Sequence, residues 1–355
     1  MMFRTRSRRG ELGTTRDVLN RRGFLQVTCG AVLAHAAACG GRSVTTLGGP
    51  GLGRLGGFGG LGAAAFHASR RFATTPQGRI AYVERGSGPA ALFLHGFPLN
   101  GFQWRGALEQ LAPHRRCIAP DFLAMGYTEV NAGQGVGPAD QAAMVVALLD
   151  ALGVADVDVV ANDSGGAVAQ LLVRACPERI RSMLLTNCDI ETDSPPSALL
   201  PVIELARKGE FVDRWLGMWR ADKALARSSE GIGGMCYADA AHPTDDAIEM
   251  YFAPLLASPR RTALANAYAV ALERNPLIGI GQVLRRSSIP TRIVWGMADT
   301  IFSPASPDEL HRTLGNSRGV RRLDGSKLFW PEERPEVIAE EAISLWATGP
   351  QKAQE

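Results

Sequence analysis

The chain has 355 residues, of which 46% are hydrophobic and 21% are charged, and its formal net charge is +3. This length and apolar content suffice for a large buried core, so the composition excludes a chain that is disordered throughout. Much of the positive excess comes from eight arginines before residue 43. The remainder is close to neutral, which argues against a nucleic-acid partner and favours a small-molecule substrate.

Residues 1–39 have the features of an export signal. Arg21 and Arg22 precede an uncharged, alanine-rich stretch that ends in small residues near Ala38. This order predicts a twin-arginine signal peptide and export to the periplasm or the extracellular side, with a cytoplasmic protein as the alternative. The apolar run of about 15 residues is shorter than the ~20 that span a bilayer, so membrane contact is expected only through the signal. Cys39 could be lipidated, although the usual leucine three residues before it is missing.

Residues 40–66 are dominated by glycine and show no period that could build a packed element, which predicts a flexible linker. Four cysteines follow this stretch, none of them in a CxxC pair. Their spacing argues against a zinc site and against a disulfide framework. We expect neither a metal nor a cofactor.

From about residue 71, strand-like runs alternate with helical segments. The eight runs are FATT, RIAYVE, AALFLH, RCIAP, VDVVA, SMLLTN, TRIVW and VRRL. This alternation predicts an α/β fold with a mostly parallel, eight-stranded sheet and helices on both faces. The first two runs, joined around Pro76, predict an antiparallel hairpin at one edge of the sheet. Between 190 and 289 the alternation stops, which predicts a helical cap inserted between two core segments, 67–189 and 290–348.

Five segments in this order resemble the α/β-hydrolase fold superfamily, and within it the branch of haloalkane dehalogenases and epoxide hydrolases. The segments are LHGFPLNGFQWRGALEQL (94–111), APDFLAMGYTEV (119–130), VVANDSGGAVAQ (159–170), WGMADTIF (295–302) and FWPEERPEVI (329–338). The resemblance covers about residues 70–346. It implies a capped hydrolase, but a fold alone does not define a function.

The third segment matches the nucleophile elbow of this family, a strained turn between a strand and a helix. Small residues flank the turn at Ala161, Gly165 and Gly166, and this register places Asp163 rather than Ser164 at the nucleophile position. A carboxylate suits attack on an sp³ carbon, either displacing halide or opening an epoxide, and leaves a covalent ester. The alternative is that Asp163 only caps the following helix.

The resemblance also implies an oxyanion site and a substrate pocket. The backbone N–H groups of Phe97 and Ser164 are expected to form the oxyanion hole. Haloalkane dehalogenases typically carry Trp after the nucleophile and often Asn after the HG pair to bind halide, whereas this chain has Ser164 and Phe97 there. Epoxide hydrolases use cap tyrosines to protonate the opening oxygen, and Tyr237, Tyr251 and Tyr268 lie in this cap. The pocket is expected to be lined by His95, Trp215, Trp219, Tyr237, Tyr251 and Leu328, with His95 in a structural role.

The remaining members of the catalytic triad are an acid and a histidine. Asp299 stands at the usual acid position, and Asp189 at the alternative one used by some dehalogenases. At the histidine position the chain has Leu328. His242 is the only other histidine expected to reach the cleft, and Lys327 would have to lose its proton in a buried site to act as a base.

We therefore predict an α/β-hydrolase that acts on a small, mostly apolar substrate through Asp163, with Asp299 as the acid-position carboxylate and no family histidine. A non-catalytic, ligand-binding member of the fold is the first alternative. A non-hydrolytic acid–base enzyme of lyase type, in which Asp163 shuttles a proton, is the second.

Overall fold

The computed structural model describes residues 61–347, and in this part of the chain nine strands form one sheet. The strands are β1 (Arg71–Thr75), β2 (Gly78–Arg85), β3 (Ala90–Leu94), β4 (Arg116–Pro120), β5 (Glu129–Val130), β6 (Val157–Asp163), β7 (Ile180–Cys188), β8 (Thr291–Gly296) and β9 (Ser317–Leu323). The eight strand-like runs are all strands. The ninth, β5, was not predicted, because two residues are too short to show an alternating pattern.

The sheet order is β1-β2-β4-β3-β6-β7-β8-β9, and β5 pairs with β2. All pairs from β4 to β9 along this order are parallel, whereas β2 is antiparallel to β1, β4 and β5. The predicted hairpin is confirmed, since Thr75 pairs with Gly78 across the turn. Every residue of β3 and β6 is buried, as expected for central strands covered on both faces.

Fourteen α-helices surround the sheet or lie in the cap within this part of the chain. They are α1 (Ala63–Ala68), α2 (Arg105–Leu111), α3 (Pro138–Ala151), α4 (Ser164–Ala175), α5 (Leu200–Arg207), α6 (Met218–Ala221), α7 (Lys223–Ala226), α8 (Ile232–Cys236), α9 (Asp245–Phe252), α10 (Pro259–Ala271), α11 (Ile280–Arg286), α12 (Ser306–Thr313), α13 (Trp330–Glu333) and α14 (Pro335–Ala347). A π-helix, Val212–Gly217, joins α5 to α6. Among residues 61–347, no helix is both long and apolar enough to span a membrane.

The predicted cap, 190–289, extends too far at its C-terminal end. Helix α11 packs against α4 and α12, which flank the sheet, and it buries Ile280 and Leu284 there. It therefore belongs to the core layer, and the cap consists of α5–α10 with the π-helix. The chain between β7 and β8 contains both the cap and the core helix α11. The loss of strand alternation therefore did not reveal where the cap ends.

The predicted linker, 40–66, also extends too far. Residues 61–66 are described, and they lead into α1, whose Phe66 side chain is buried and meets the Phe102 ring edge-on at 5.1 Å. A segment that buries Phe66 is part of the folded core, and the glycine content of the preceding residues hid this. The predicted signal peptide and the rest of the linker lie outside the described residues.

Candidate active site

The turn between β6 and α4 has the geometry of a nucleophile elbow. Asp163 adopts φ 54°, a left-handed conformation that non-glycine residues rarely take and that costs free energy. Small residues allow the turn to pack. A methyl group at Gly165 would lie 2.4 Å from the carbonyl oxygen of Leu94, and one at Gly166 would lie 2.3 Å from Cβ of Cys188. The strain is therefore held in place by close backbone packing on both sides of the turn.

The Asp163 carboxylate faces the loop after β3. The backbone N–H of Phe97 donates a 3.0 Å hydrogen bond to Asp163 Oδ2. A methyl group at Gly96 would lie 2.7 Å from the same oxygen, so glycine is required for this approach. The backbone N–H groups of Phe97 and Ser164, which we expected to form an oxyanion hole, thus both act on this carboxylate and lower its pKa. The hydrogen bond to Oδ2 orients the carboxylate at the turn.

Three buried carboxyl groups meet in this region. Burial and, next, the charge of Asp189 raise the pKa of Asp163 well above its ordinary value, and Asp299 adds to this effect. Burial raises the pKa of Asp189 and of Asp299 to about 6 each. Both acid positions predicted from the sequence therefore lie near Asp163. Within residues 61–347 these groups are not part of any cluster of side chains suited to hold a metal ion.

Asn187, at the end of β7, holds the Asp299 carboxylate in place. Its Nδ2 donates to Asp299 Oδ2 at 2.8 Å and to the carbonyl of Gly296 at 3.0 Å. Its Oδ1 accepts from the Gly296 N–H and from the Trp330 indole. The second Asp299 oxygen accepts from the N–H of Ile301 at 2.8 Å. Asparagine thus links two strands, the acid and the start of α13.

Two hydroxyl groups beside Asp163 are buried and make no well-formed hydrogen bond to another described residue. They belong to Ser164 and Tyr268. The Tyr268 ring lies 5.3 Å from the Phe97 ring, whose backbone N–H binds Asp163. Burial raises the pKa of Tyr268, hydrogen bonding by the neighbouring Ser164 hydroxyl lowers it, and the charges of Asp163 and Asp189 raise it further. The two hydroxyls thus neighbour each other, and buried polar groups are rarely left without good hydrogen bonds, so they can bind a ligand.

Tyr237 and Tyr251, predicted to line the pocket, have their hydroxyl groups engaged elsewhere. Both donate to Glu332 Oε2, at 2.7 and 2.9 Å. The other Glu332 oxygen accepts from Arg105 Nη1 at 2.6 Å. Neither hydroxyl is therefore available to protonate a substrate, because a buried carboxylate from α13 accepts a hydrogen bond from each. Tyr268 is the cap tyrosine whose hydroxyl Glu332 does not bind.

The predicted pocket tryptophans belong to a row of aromatic rings that starts at the oxyanion loop. The ring centroids of Phe97 and Phe211 lie 5.6 Å apart. The next two pairs in the row are Phe211 with Trp215, at 5.8 Å, and Trp215 with Trp219, at 5.5 Å. Trp219 ends the row against Phe252. Phe211, rather than either tryptophan, is the ring in contact with Phe97. Successive positions on the π-helix and α6 set this row, and its nearest member to the site could not be identified from spacing alone.

His95 is structural, as predicted. Its Nδ1–H donates to the carbonyl of Gly96 at 2.9 Å, and its Nε2 accepts from the N–H of Phe122 at 3.0 Å. Burial lowers its pKa to about 4, so the ring is neutral and has no free nitrogen. It orients the oxyanion loop and cannot accept a proton from substrate.

Three of the other four histidines of the described chain, His67, His114 and His311, are exposed. The sequence left His242 as the one that could reach the cleft. In the structure its ring stacks on the Tyr237 ring at a centroid distance of 5.4 Å, on the side of the Glu332 cluster.

Leu328 is buried, and its carbonyl accepts a 3.1 Å hydrogen bond from Asn162 Nδ2. The residues around it are joined to the cap. Lys327 Nζ donates to the carbonyl of Gly234 at 2.5 Å, and the N–H of Phe329 donates to the carbonyl of Cys236 at 2.9 Å. Lys327, considered as a substitute base, is thus engaged as an ammonium donor to the cap backbone.

The structure adds three residues that sequence reasoning did not assign to the site: Asn162, Asn187 and Phe211. The two asparagines follow buried strand residues directly, and a polar residue at the carboxyl end of a parallel strand was a usable signal. Phe211 gave no such signal, and Tyr268 could not be preferred over the other two cap tyrosines, because their positions depend on how the cap folds over the sheet.

Comparison with known proteins agrees with this geometry. Residues 89–230 match the family model described as alpha/beta hydrolase fold. "Haloalkane dehalogenase 2" of Mycobacterium tuberculosis is 26% identical over 275 residues, which cover 76% of this chain and 92% of that protein. An "Epoxide hydrolase" of Caballeronia sordidicola is 23% identical, covering 75% and 90%. The solved structure "Epoxide hydrolase CorEH without ligand" superposes with a TM-score of 0.65 at 20% identity, covering 78% of this chain and 98% of that one.

The chain therefore has the α/β-hydrolase fold, and the relatives that it matches along most of its length are hydrolases. Within that superfamily, it is similar to haloalkane dehalogenases and epoxide hydrolases, at low sequence identity.

Proposed function

We propose that this protein captures small, mostly apolar epoxides as a covalent ester on Asp163. The observation that carries this proposal is the pair of buried, neighbouring hydroxyl groups of Ser164 and Tyr268 beside the Asp163 carboxylate, neither of which makes a well-formed hydrogen bond to another described residue. An epoxide carbon is an sp³ electrophile, and its oxygen needs a hydrogen-bond donor as the ring opens. A hydroxyl pair meets this need, and it stands where dehalogenases of this branch typically use an indole to bind halide.

In the proposed step, Asp163 Oδ1 attacks an epoxide carbon and forms a C–O ester bond. The ring C–O bond breaks, and its electron pair stays on the ring oxygen, which takes the proton of the Tyr268 hydroxyl. The resulting tyrosinate recovers a proton from water. The hydrogen bond from the Phe97 N–H to Oδ2 at 3.0 Å orients the carboxylate for this attack.

Hydrolysis of the ester needs a base for water, and Leu328 stands at the family's histidine position. The five histidines of residues 61–347 are engaged or placed as described above, and Lys327 donates to the cap. We therefore propose that ester formation is fast relative to ester hydrolysis. A ligand-binding member of the fold, without chemistry, is the alternative favoured by the same observation.

Intact-mass spectrometry after incubation with a panel of small epoxides and matched alkyl bromides tests this proposal. We expect one epoxide adduct per chain, mapped to Asp163, weaker labelling by the bromides, and no labelling of Asp163→Asn. Reversible binding without an adduct would instead support the ligand-binding alternative. An adduct on Ser164 or a cysteine would overturn the proposal.

We also propose export through the twin-arginine route, on the order of charged, apolar and small residues in 1–39. Replacing Arg21 and Arg22 by lysine should block delivery across the membrane. Fractionation of cells that carry the wild-type and variant chains measures this, and unchanged delivery would contradict the proposal.

A further inference from the structure

A run of hydrogen bonds joins the segment after β9 to the cap. We call residues 327–333 the anchor segment and residues 234–239 the cap segment. The bonds are Lys327 to Gly234 (2.5 Å), Phe329 to Cys236 (2.9 Å), Tyr237 to Glu332 (2.7 Å), Ala238 to Glu333 (3.1 Å) and Asp239 to Glu333 (2.9 Å). The two segments run side by side, and the bonds follow in the same order along both of them. Such a series acts as one cooperative hydrogen-bond network rather than as separate contacts, and we call it the fastening of the cap.

Glu332 is the centre of this fastening. Its side chain is 1% exposed and pairs with Arg105 of α2, so its charge is balanced from the core side. From the cap side it accepts two tyrosine hydroxyls, Tyr237 beyond α8 and Tyr251 on α9. One buried carboxylate therefore connects α2, α13 and two separate parts of the cap. Charge-assisted hydrogen bonds of this kind are among the stronger ones in proteins.

The cap segment fastened in this way covers the nucleophile region. Cys236 ends α8 and is buried. Burial is the main cause of the raised pKa of its thiol, and the charges of Asp299 and Asp163 are the next two. The geometry agrees, because the Phe329 N–H donates to the Cys236 carbonyl at 2.9 Å, and a methyl group at Gly96 would lie 3.0 Å from the Phe329 ring and 2.7 Å from Asp163 Oδ2. Separation of the cap segment from the anchor segment, which we call opening of the seam, would expose Cys236 and Asp163 to solvent together.

We propose that Glu332 is a positioning residue of the site, which holds the cap segment closed over Asp163 through Tyr237 and Tyr251. The segment that carries the water-activating histidine in relatives serves here as the attachment of the cap. The proposal concerns access to the site and does not depend on which ligand Asp163 takes.

Iodoacetamide labelling of the native full chain, read at each cysteine by peptide mass spectrometry, tests this inference. Cys236 reports opening of the seam. Cys188, fully buried between β7 and the Gly166 turn, reports general loosening of the core. The test variant is Tyr237→Phe with Tyr251→Phe, which removes both hydrogen bonds from the cap and keeps the Arg105–Glu332 pair. Glu332→Gln is the second variant.

Glu341→Gln is the matched control. Glu341 is a buried carboxylate on α14 that pairs with Arg292 and Arg321, away from the cap. We expect the double tyrosine variant to raise the Cys236 labelling rate roughly tenfold to a hundredfold and to leave Cys188 unchanged, because two hydrogen bonds that hold only the closed state are lost. Glu332→Gln should act in the same direction, and Glu341→Gln should not.

Two results would overturn the inference. One is an unchanged Cys236 rate in both the double tyrosine variant and Glu332→Gln. The other is an equal rise at Cys236 and Cys188, which would show that these residues only stabilise the fold. A variant that does not fold would also label equally at Cys236 and Cys188. The Cys188 rate therefore separates local opening of the cap segment from loss of the whole fold.

Discussion

The β6–α4 elbow and the anchor segment face the same site, yet they differ in how far they keep the form implied by the family resemblance. The elbow keeps its positive φ at Asp163, its close glycines and its hydrogen bond to the oxyanion loop. The anchor segment has Leu328 at the histidine position and donates or accepts hydrogen bonds along the cap segment. The first region keeps the geometry that the proposed ester formation requires, and the second holds the cap.

Under the proposed function, the two halves of a covalent hydrolytic cycle depend on different side chains. Ester formation needs the elbow and a donor from the cap. Ester hydrolysis needs a base on the loop after β9. The two regions are joined by the hydrogen bond from Asn162 Nδ2 to the Leu328 carbonyl, and because this bond uses the backbone at 328, a leucine there leaves it in place. Four variants test or break this comparison.

Gly165→Ala should have the largest effect, because it would damage the elbow itself. A methyl group there would lie 2.4 Å from the Leu94 carbonyl oxygen and 2.7 Å from that of His95, and backbone cannot easily move aside. We expect loss of more than about 4 kcal/mol of unfolding free energy, or no soluble protein. Gly217→Ala, whose nearest contacts are at 3.6 Å or more, is the control. Equal stability of the two variants in urea would contradict the elbow geometry.

Leu328→His should break the comparison by restoring the second half-reaction. An imidazole at this position, which the family resemblance pairs with the Asp299 acid position, would activate water and release the Asp163 ester on the order of 10² to 10⁴ times faster. The decay of the epoxide adduct, followed by intact mass, measures the rate. Leu328→Asn, which is polar but not basic, should not release it. If histidine fails as well, the anchor segment lies too far from Asp163 to have carried a base.

The acid position can be tested by the pH dependence of stability. The pKa of Asp299 in the folded chain is about 6, above its ordinary value. Its stabilising contribution is therefore fully present below about pH 4 and is lost as the pH rises through 6. Relative to Asp299→Asn, wild type should lose on the order of 2–3 kcal/mol of unfolding free energy between pH 4 and pH 7. Urea titrations of both chains measure this, and a difference that is constant or grows with pH would contradict the burial of this carboxyl group.

Lys327→Met should have the smallest effect and separates a donor from a base. Its Nζ gives one hydrogen bond to Gly234, worth about 1 kcal/mol. We expect a slightly faster Cys236 labelling rate, and unchanged decay of the Asp163 adduct. Slower decay of the adduct in this variant would show that Lys327 is the base that activates water.

The amino-acid sequence alone determined the sheet and the elbow. Alternating strand-like and helical runs identified eight of the nine strands, because the buried strands of a parallel sheet need continuous apolar residues. Asp163 was found because Gly165 and Gly166 mark a turn where backbones approach closely, and this requirement is local. Loss of the histidine at Leu328 could be read for the same reason, from its fixed distance to the start of the last helix.

The tertiary structure decided the cap and everything that depends on it. Three cap tyrosines look alike in the sequence, but Glu332 binds Tyr237 and Tyr251 and leaves Tyr268 beside Asp163. The sequence within ten residues of each tyrosine does not indicate which hydroxyl Glu332 binds. The partners are 81 and 95 residues apart along the chain, so only the packing of the cap on α13 determines which hydroxyl is satisfied and which remains available for chemistry.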